Sequence, residues 1–178
     1  MAATTLQGRR AMPIYASDTI DIPNINNLYT SGVNTTATTN KLTASAGNFI
    51  NLNVKAGDII YNLGTNRVPS GVATVTAVDS ATTLSLSADI FPIGGGTNNA
   101  YRIFRAIQNG GDTNPGCLLI PDNSTLGTQG RIRILTVGGD DITIPFPTNS
   151  YGFIPLQIVK LFSTGTTAGF YGNCNVMW

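Results

Sequence analysis

The sequence predicts an all-β protein, and three observations carry that expectation. The chain of 178 residues contains no glutamate and few lysines, so the residues that usually fill exposed helix faces are missing. Thr and Asn together make up about a quarter of the chain, which suits strand surfaces and turns. Apolar residues alternate with polar ones over short segments that end in Gly, Asn or Asp, the period of half-buried strands. The length fits one domain with a modest insert, large enough to bury a core without staples.

In chain order, MAATTLQGRRAMP (residues 1–13) reads as an extended arm. It has two arginines but no apolar stretch behind them, which is not the pattern of a signal peptide. Ile14 to Tyr29 is the first ordered piece, with Ile20 and Ile22 alternating with Asp21 and Pro23 ending or edging a short strand. Asn26-Asn27 and Ser31-Gly32 read as turns. Residues 33–47 are polar, with a weak strand around Lys41 to Ser45. Asn51 to Tyr61 gives a strand, a Gly57-Asp58 turn and Ile59-Ile60-Tyr61. Val72 to Val78, Thr83 to Ser87 and Ala100 to Ile107 are further strands, and this spacing describes a small barrel.

Asn109 to Gly116 (NGGDTNPG) is the sharpest breaker cluster. Beyond it come Cys117 to Ile120, then Arg131 to Val137 with Ile132 and Ile134 inward and Arg131 and Arg133 outward. A GGDD hairpin turn follows, then Ile142 to Phe146 with Pro145 implying an edge or bulge. Phe153 to Phe162 is the most apolar strand, and Phe170 to Trp178 is the last. The expected architecture is a β-sandwich or jelly-roll-like base domain from residues 14–35 and 109–178. A small β-barrel at 36–108 is inserted into it.

Composition also excludes chemistry. There is no histidine, so Ser-His-Asp and Cys-His arrangements cannot be built. Two cysteines without histidine cannot make the usual zinc site. Cys117 and Cys174 read as small buried hydrophobes, with a bridge left open to geometry. Charged residues are 11% of the chain, net charge +1, against a usual share of about 25%, and the basic residues are spread too thinly for a nucleic-acid footprint. No run approaches the roughly 18 apolar residues of a membrane span. The chain is expected to be made in a cytoplasm, without cofactor or metal, and not to be an enzyme.

Several residues invite sharper readings. Asp140-Asp141 could be a calcium corner, but calcium needs about six to eight oxygens and adjacent aspartates in a hairpin suit a turn. Asp18 and Asp21 could form an acid/base pair, or could serve turn hydrogen bonds. Gly94-Gly95-Gly96-Thr97 lacks the lysine and the following helix of a phosphate loop. Arg131 and Arg133 read as solvated charges, whereas Arg9 and Arg10 could meet acidic patches on a partner. Phe170, Tyr171 and Trp178 crowd the chain end. An exposed aromatic is costly, so they either close the core or pack on a neighbouring copy.

Two stretches resemble the head-spike base proteins of tailed phages and gene-transfer agents. The first is Ser17-Asp18-Thr19-Ile20-Asp21-Ile22-Pro23 followed by Leu28-Tyr29. The second runs through Ile132 to Val137, Gly138-Gly139-Asp140, Ile142 to Phe146 and Pro155 to Lys160. It ends in Ser163-Thr164-Gly165-Thr166-Thr167-Ala168 and Val176-Met177-Trp178. The middle of the chain is similar to a second module of phage structural proteins, over Phe49 to Asn62 and Ala73 to Phe91.

The resemblance implies a non-enzymatic virion protein, most simply on the outer capsid surface: a decoration, cement or vertex-spike subunit. Its partners would be its own copies, as trimer or pentamer, and the major capsid protein or another virion protein. No nucleic acid or membrane is implied. Arg9, Arg10, Phe170, Tyr171 and Trp178 are the candidate assembly contacts. The alternative is a tail or spike receptor-binding module for cell-surface glycan, with Tyr61 and Tyr101 as sugar-stacking candidates.

Overall fold

A computed structural model describes residues 11–24, 27–64, 71–92, 97–105, 116–122, 128–148, 152–170 and 173–177. The protein is all-β: among the described residues twelve strands form two antiparallel sheets of six, an arrangement that fits a β-sandwich. A 3-10 turn lies at Ala168–Phe170.

The first sheet contains β1 (Ala11–Ile14), β8 (Cys117–Pro121), β9 (Gly130–Thr136), β10 (Asp141–Phe146), β11 (Ile154–Leu161) and β12 (Cys174–Met177). Their order is β1-β12-β8-β11-β9-β10. The second sheet contains β2 (Leu28–Val33), β3 (Lys41–Thr43), β4 (Ile59–Asn62), β5 (Val72–Val78), β6 (Thr83–Leu86) and β7 (Ala100–Phe104), in the order β2-β7-β4-β5-β6-β3.

Three local readings differ from expectation. Residues 11–13, read as part of an extended arm, belong to β1, which pairs with β12 from Ala11↔Met177 to Ile14↔Cys174. Met12 and Ile14 are buried, and that burial is what holds the segment down. Residues 28–33, placed with the base domain, form β2 and pair with β7 in the second sheet. The Asn51–Asn53 stretch is a turn rather than a strand. Asn48 and Asn53 adopt positive φ there, a conformation Asn tolerates better than most residues, and Phe49 and Val54 are buried on either side of the turn.

A closed barrel at 36–108 would need β3 to pair with β7, and among the described residues no such ladder is present; β3 instead meets the segment that follows β2. The contacts there include one bridge, Thr36↔Thr43, and the Thr35 amide donating to the Thr43 carbonyl at 2.7 Å.

The apolar residues form two clusters. The larger takes inward side chains from every strand of the first sheet, among them Ile14, Leu119, Ile132, Phe146, Ile158 and Val176. It also takes Tyr61, Val72 and Phe104 from the second sheet. The smaller lies among strands and loops of the second sheet, including Leu42, Phe49, Ile60, Leu84, Phe91 and Ile103. β4, β5 and β7 therefore form a shared wall, with Tyr61, Val72 and Phe104 facing one cluster and Ile60, Val75 and Ile103 the other. Burial on both faces explains the continuous apolar runs Ile59-Ile60-Tyr61 in β4 and Ile103-Phe104 in β7.

Candidate assembly interface

The putative assembly contacts divide sharply. Arg9, Arg10, Tyr171 and Trp178 lie outside the described residues. Phe170 is fully buried and stacks edge-on against Phe146, ring centroids 5.7 Å apart. It closes the core of its own chain and has no surface left for a neighbour. Tyr61 and Tyr101, the sugar-stacking candidates, are buried as well, one in each cluster. Burial raises the pKa of both hydroxyls. Neither can lie flat against a sugar.

The structure brings together two stretches about 145 residues apart in sequence. The segment at 17–22 runs beside the end of β11: the Ser17 amide donates to the Leu161 carbonyl (2.8 Å) and the Ile22 amide to the Val159 carbonyl (2.7 Å). Ser17 Oγ accepts the Ile20 amide at 3.1 Å, and this turn aims Asp18 at Ser163-Thr164. The Asp18 carboxylate accepts from Ser163 Oγ (2.6 Å), Thr164 Oγ1 (2.8 Å) and the Thr164 amide (2.9 Å). Next to it Lys160 Nζ pairs with Asp21 at 2.9 Å. The Ser163–Thr167 stretch in turn serves β9, since Thr166 Oγ1 and Thr167 Oγ1 accept the Arg133 and Arg131 amides, each at 2.9 Å.

These contacts give the Asp18 carboxylate a structural role. The Ser163 hydroxyl, then the Thr164 amide and hydroxyl, hold the Asp18 carboxyl down at about 2. It is ionised at neutral pH and cannot deliver a proton. Asp141 is gripped by Arg133 through two bonds, 2.9 Å from Nε and 2.6 Å from Nη2, with the Arg133 guanidinium 4.4 Å over the Phe162 ring. A carboxylate so engaged is a poor start for a calcium corner. Among the described residues no group of three or more Cys or Asp is placed to hold a metal ion. Cys117 and Cys174 are both free and buried. They sit toward opposite ends of β8, opposite Ile158 and Pro121, and burial pushes each thiol up to about 12, which makes them inert.

Asp18 sets one pH prediction. Its pKa is lowered on folding, so the contribution is complete above the ordinary carboxylate value of 3.8 and is lost as pH falls toward about 2. Asp18→Asn is expected to cost about 1 kcal/mol at neutral pH, kept small by solvent screening. It should also flatten the wild-type loss of stability between those two pH values. Urea melts at neutral pH and at pH 3 check both; an unchanged acid slope in the variant rules the latch out.

What remains exposed is apolar. Among the described residues five large hydrophobic side chains face solvent: Val33, Ile50, Val137, Phe153 and Leu156. Val33 and Ile50 stand apart, one at the end of β2 and one in the 48–53 turn. Of the other three, Val137 follows β9, and Phe153 and Leu156 lie near the start of β11. Phe153 precedes the strand and Leu156 lies in it. The Val137 amide donates to the Gln157 carbonyl at 2.9 Å. No sequence signal marked these residues, because Phe153 to Phe162 reads simply as the most apolar strand.

Comparison of the chain with protein-family models, curated proteins and solved structures finds no match.

Proposed function

We propose that the chain is a structural, non-catalytic subunit of a tailed-phage virion, a capsid decoration, cement or vertex-spike protein. It would act by repeated contact with its own copies and with the major capsid protein or another virion protein. The observation that carries this reading is the exposure of Phe153 and Leu156, two large apolar side chains near the start of β11 in a stretch, Ile142 to Val159, that has no charged residue. Exposed large apolar side chains in a charge-free stretch suit a contact surface. The resemblance over 17–29 and 132–178 supports the same reading, and so does a surface poor in charge, since interface cores are depleted of charged residues.

The mechanism is additive. Each copy buries a modest surface against its neighbours, and symmetry multiplies that gain over the shell. The test is copy number in purified particles, by quantitative mass spectrometry. Hundreds of copies are expected for a shell decoration, and about sixty or fewer for a vertex spike, since icosahedral symmetry fixes such multiples. Absence from purified particles overturns the reading. The glycan-binding alternative has lost its two stacking residues to the core.

A further inference from the structure

We propose that Arg105 is a clasp on the open side of the second sheet. It gathers the start of β2, the 48–53 turn and the turn into β4, and its release lets that side open while the first sheet stays folded. The inference goes beyond the assembly reading and does not depend on it.

The first observation is where the second sheet lacks pairing. β2 and β3 are its outer strands. Apart from the bridge Thr36↔Thr43, no ladder joins them among the described residues. The bridge is antiparallel, so the chain leaving Thr43 heads back toward the start of β2. There it forms the 48–53 turn, in which the Leu52 amide donates to the Asn48 carbonyl at 3.0 Å and the Asn53 amide to the Ile50 carbonyl at 2.8 Å. Both bonds stay within the turn and hold nothing of β2.

The second observation is that Arg105 spans this gap. It directly follows β7, and its amide donates to the Asn27 carbonyl, just before β2, at 2.9 Å. Its guanidinium lies 3.9 Å from the centroid of the Tyr29 ring in β2, a stacking that suits a flat cation. Nη2 donates to the Leu52 carbonyl at 3.5 Å, and Nη1 lies 4.0 Å from the Asp58 carboxylate. One side chain thus touches three segments that share no ladder with one another among the described residues.

The third observation is the Asp58 carboxylate itself. Its side chain is 1% exposed, and among the described residues it is the one buried charged group, in a chain with only 11% charged residues. A buried charge is costly unless it is paired and hydrogen-bonded. Asp58 Oδ2 accepts the Lys55 amide at 2.9 Å and so closes the turn that enters β4. The Gly57 amide donates to the Val75 carbonyl and the Val75 amide to the Asp58 carbonyl, each at 2.8 Å, which fixes that turn on β5. Asp58 is therefore the fixed post, and the Arg105 side chain, 24% exposed, is the arm that can swing away.

The test is hydrogen exchange on the full chain, read segment by segment. Arg105→Gln is expected to speed exchange at Leu52, Asn53, Val54 and β2 by about tenfold or more, with β9 and β11 unchanged. Asp58→Asn keeps an acceptor for the Lys55 amide and should open the same segments. The double variant should exchange no faster there than the faster single variant, because both break one clasp. Circular dichroism melts confirm folding. If Arg105→Gln fails to fold, Tyr29→Leu removes the ring under the guanidinium and carries the test, with the same segments expected to open. Equal acceleration in every strand overturns the proposal, since Arg105 then adds only to global stability. Unchanged exchange at 52–54 and β2, or additive effects in the double variant, also overturns it.

Discussion

Replacing Tyr15 by alanine is expected to destabilise the protein by about 3–5 kcal/mol, the range for deleting a large buried ring. Tyr15 follows β1 and is buried in the cluster shared by both sheets. Its ring lies 6.1 Å from Tyr61, which lies 5.8 Å from Phe104. A first-sheet side chain thus begins a row of three rings that ends in the wall of the second sheet. The Tyr15 hydroxyl donates to the Asn62 carbonyl at 2.9 Å, so the tyrosine joins the sheets by packing and by a polar bond. Tyr15→Phe keeps the ring and should cost about 1 kcal/mol.

The opposing backbone gives a second handle. A side-chain carbon at Gly71 would overlap the Tyr15 ring. Gly71→Ala is therefore expected to cost about 1–3 kcal/mol by overpacking. In Tyr15→Ala the overlap has nothing to meet, so the double variant should cost less than the sum of the two. Urea titrations of the four proteins give the cycle. Strict additivity, or a Tyr15→Ala loss within about 0.5 kcal/mol of zero, would show that the sheets are held together elsewhere.

The all-β class was legible because it needs only composition and period. Val72–Val78 and Thr83–Leu86 were legible for the same reason: they are short alternating runs bounded by turns. β1 was not, because Pro13 and the preceding arginines make Ala11–Ile14 look like a tail. Its pairing with β12 is a contact between the chain's two ends that no local pattern encodes. β2 was hidden by Ser31-Gly32, a turn signal overridden by pairing with β7. The opposite error occurred at Asn51–Asn53, where an alternating pattern satisfied a turn between buried Phe49 and Val54 instead of a ladder.

The site was less legible than the fold. Ser17-Asp18 and Ser163-Thr164 could be singled out as stretches, but that one latches the other depends on the path of 17–22 along β11. The exposure of Phe153 and Leu156 was hidden outright. Phe153 to Phe162 reads simply as the most apolar strand, and its register shift against β8 shows only in the pairing.

Phe170 is where a sequence reading of two alternatives can be decided in solution. A core residue and an assembly contact predict opposite results for the same substitution. Phe170 is fully buried, edge-on to Phe146 at 90°, and a side-chain carbon at Gly130 would overlap its ring. It ends the 3-10 turn, its amide donating to the Thr167 carbonyl at 2.9 Å and its carbonyl accepting the Asn173 amide at 3.1 Å. It therefore anchors the approach to β12, which lies between β1 and β8. Phe170→Ala is expected to cost about 3–5 kcal/mol. For a chain of this length each kcal/mol lowers Tm by about 2–4 °C, so the melt should shift by roughly ten degrees or more. Hydrogen exchange should show protection lost first in β12 and β1, the strands that depend on the anchor, while β5 and β6 keep theirs. Were Phe170 instead a contact between copies, the monomer's melt would be unchanged and only association would weaken. That outcome would place the ring outside the core and remove the packing argument for the whole C-terminal turn.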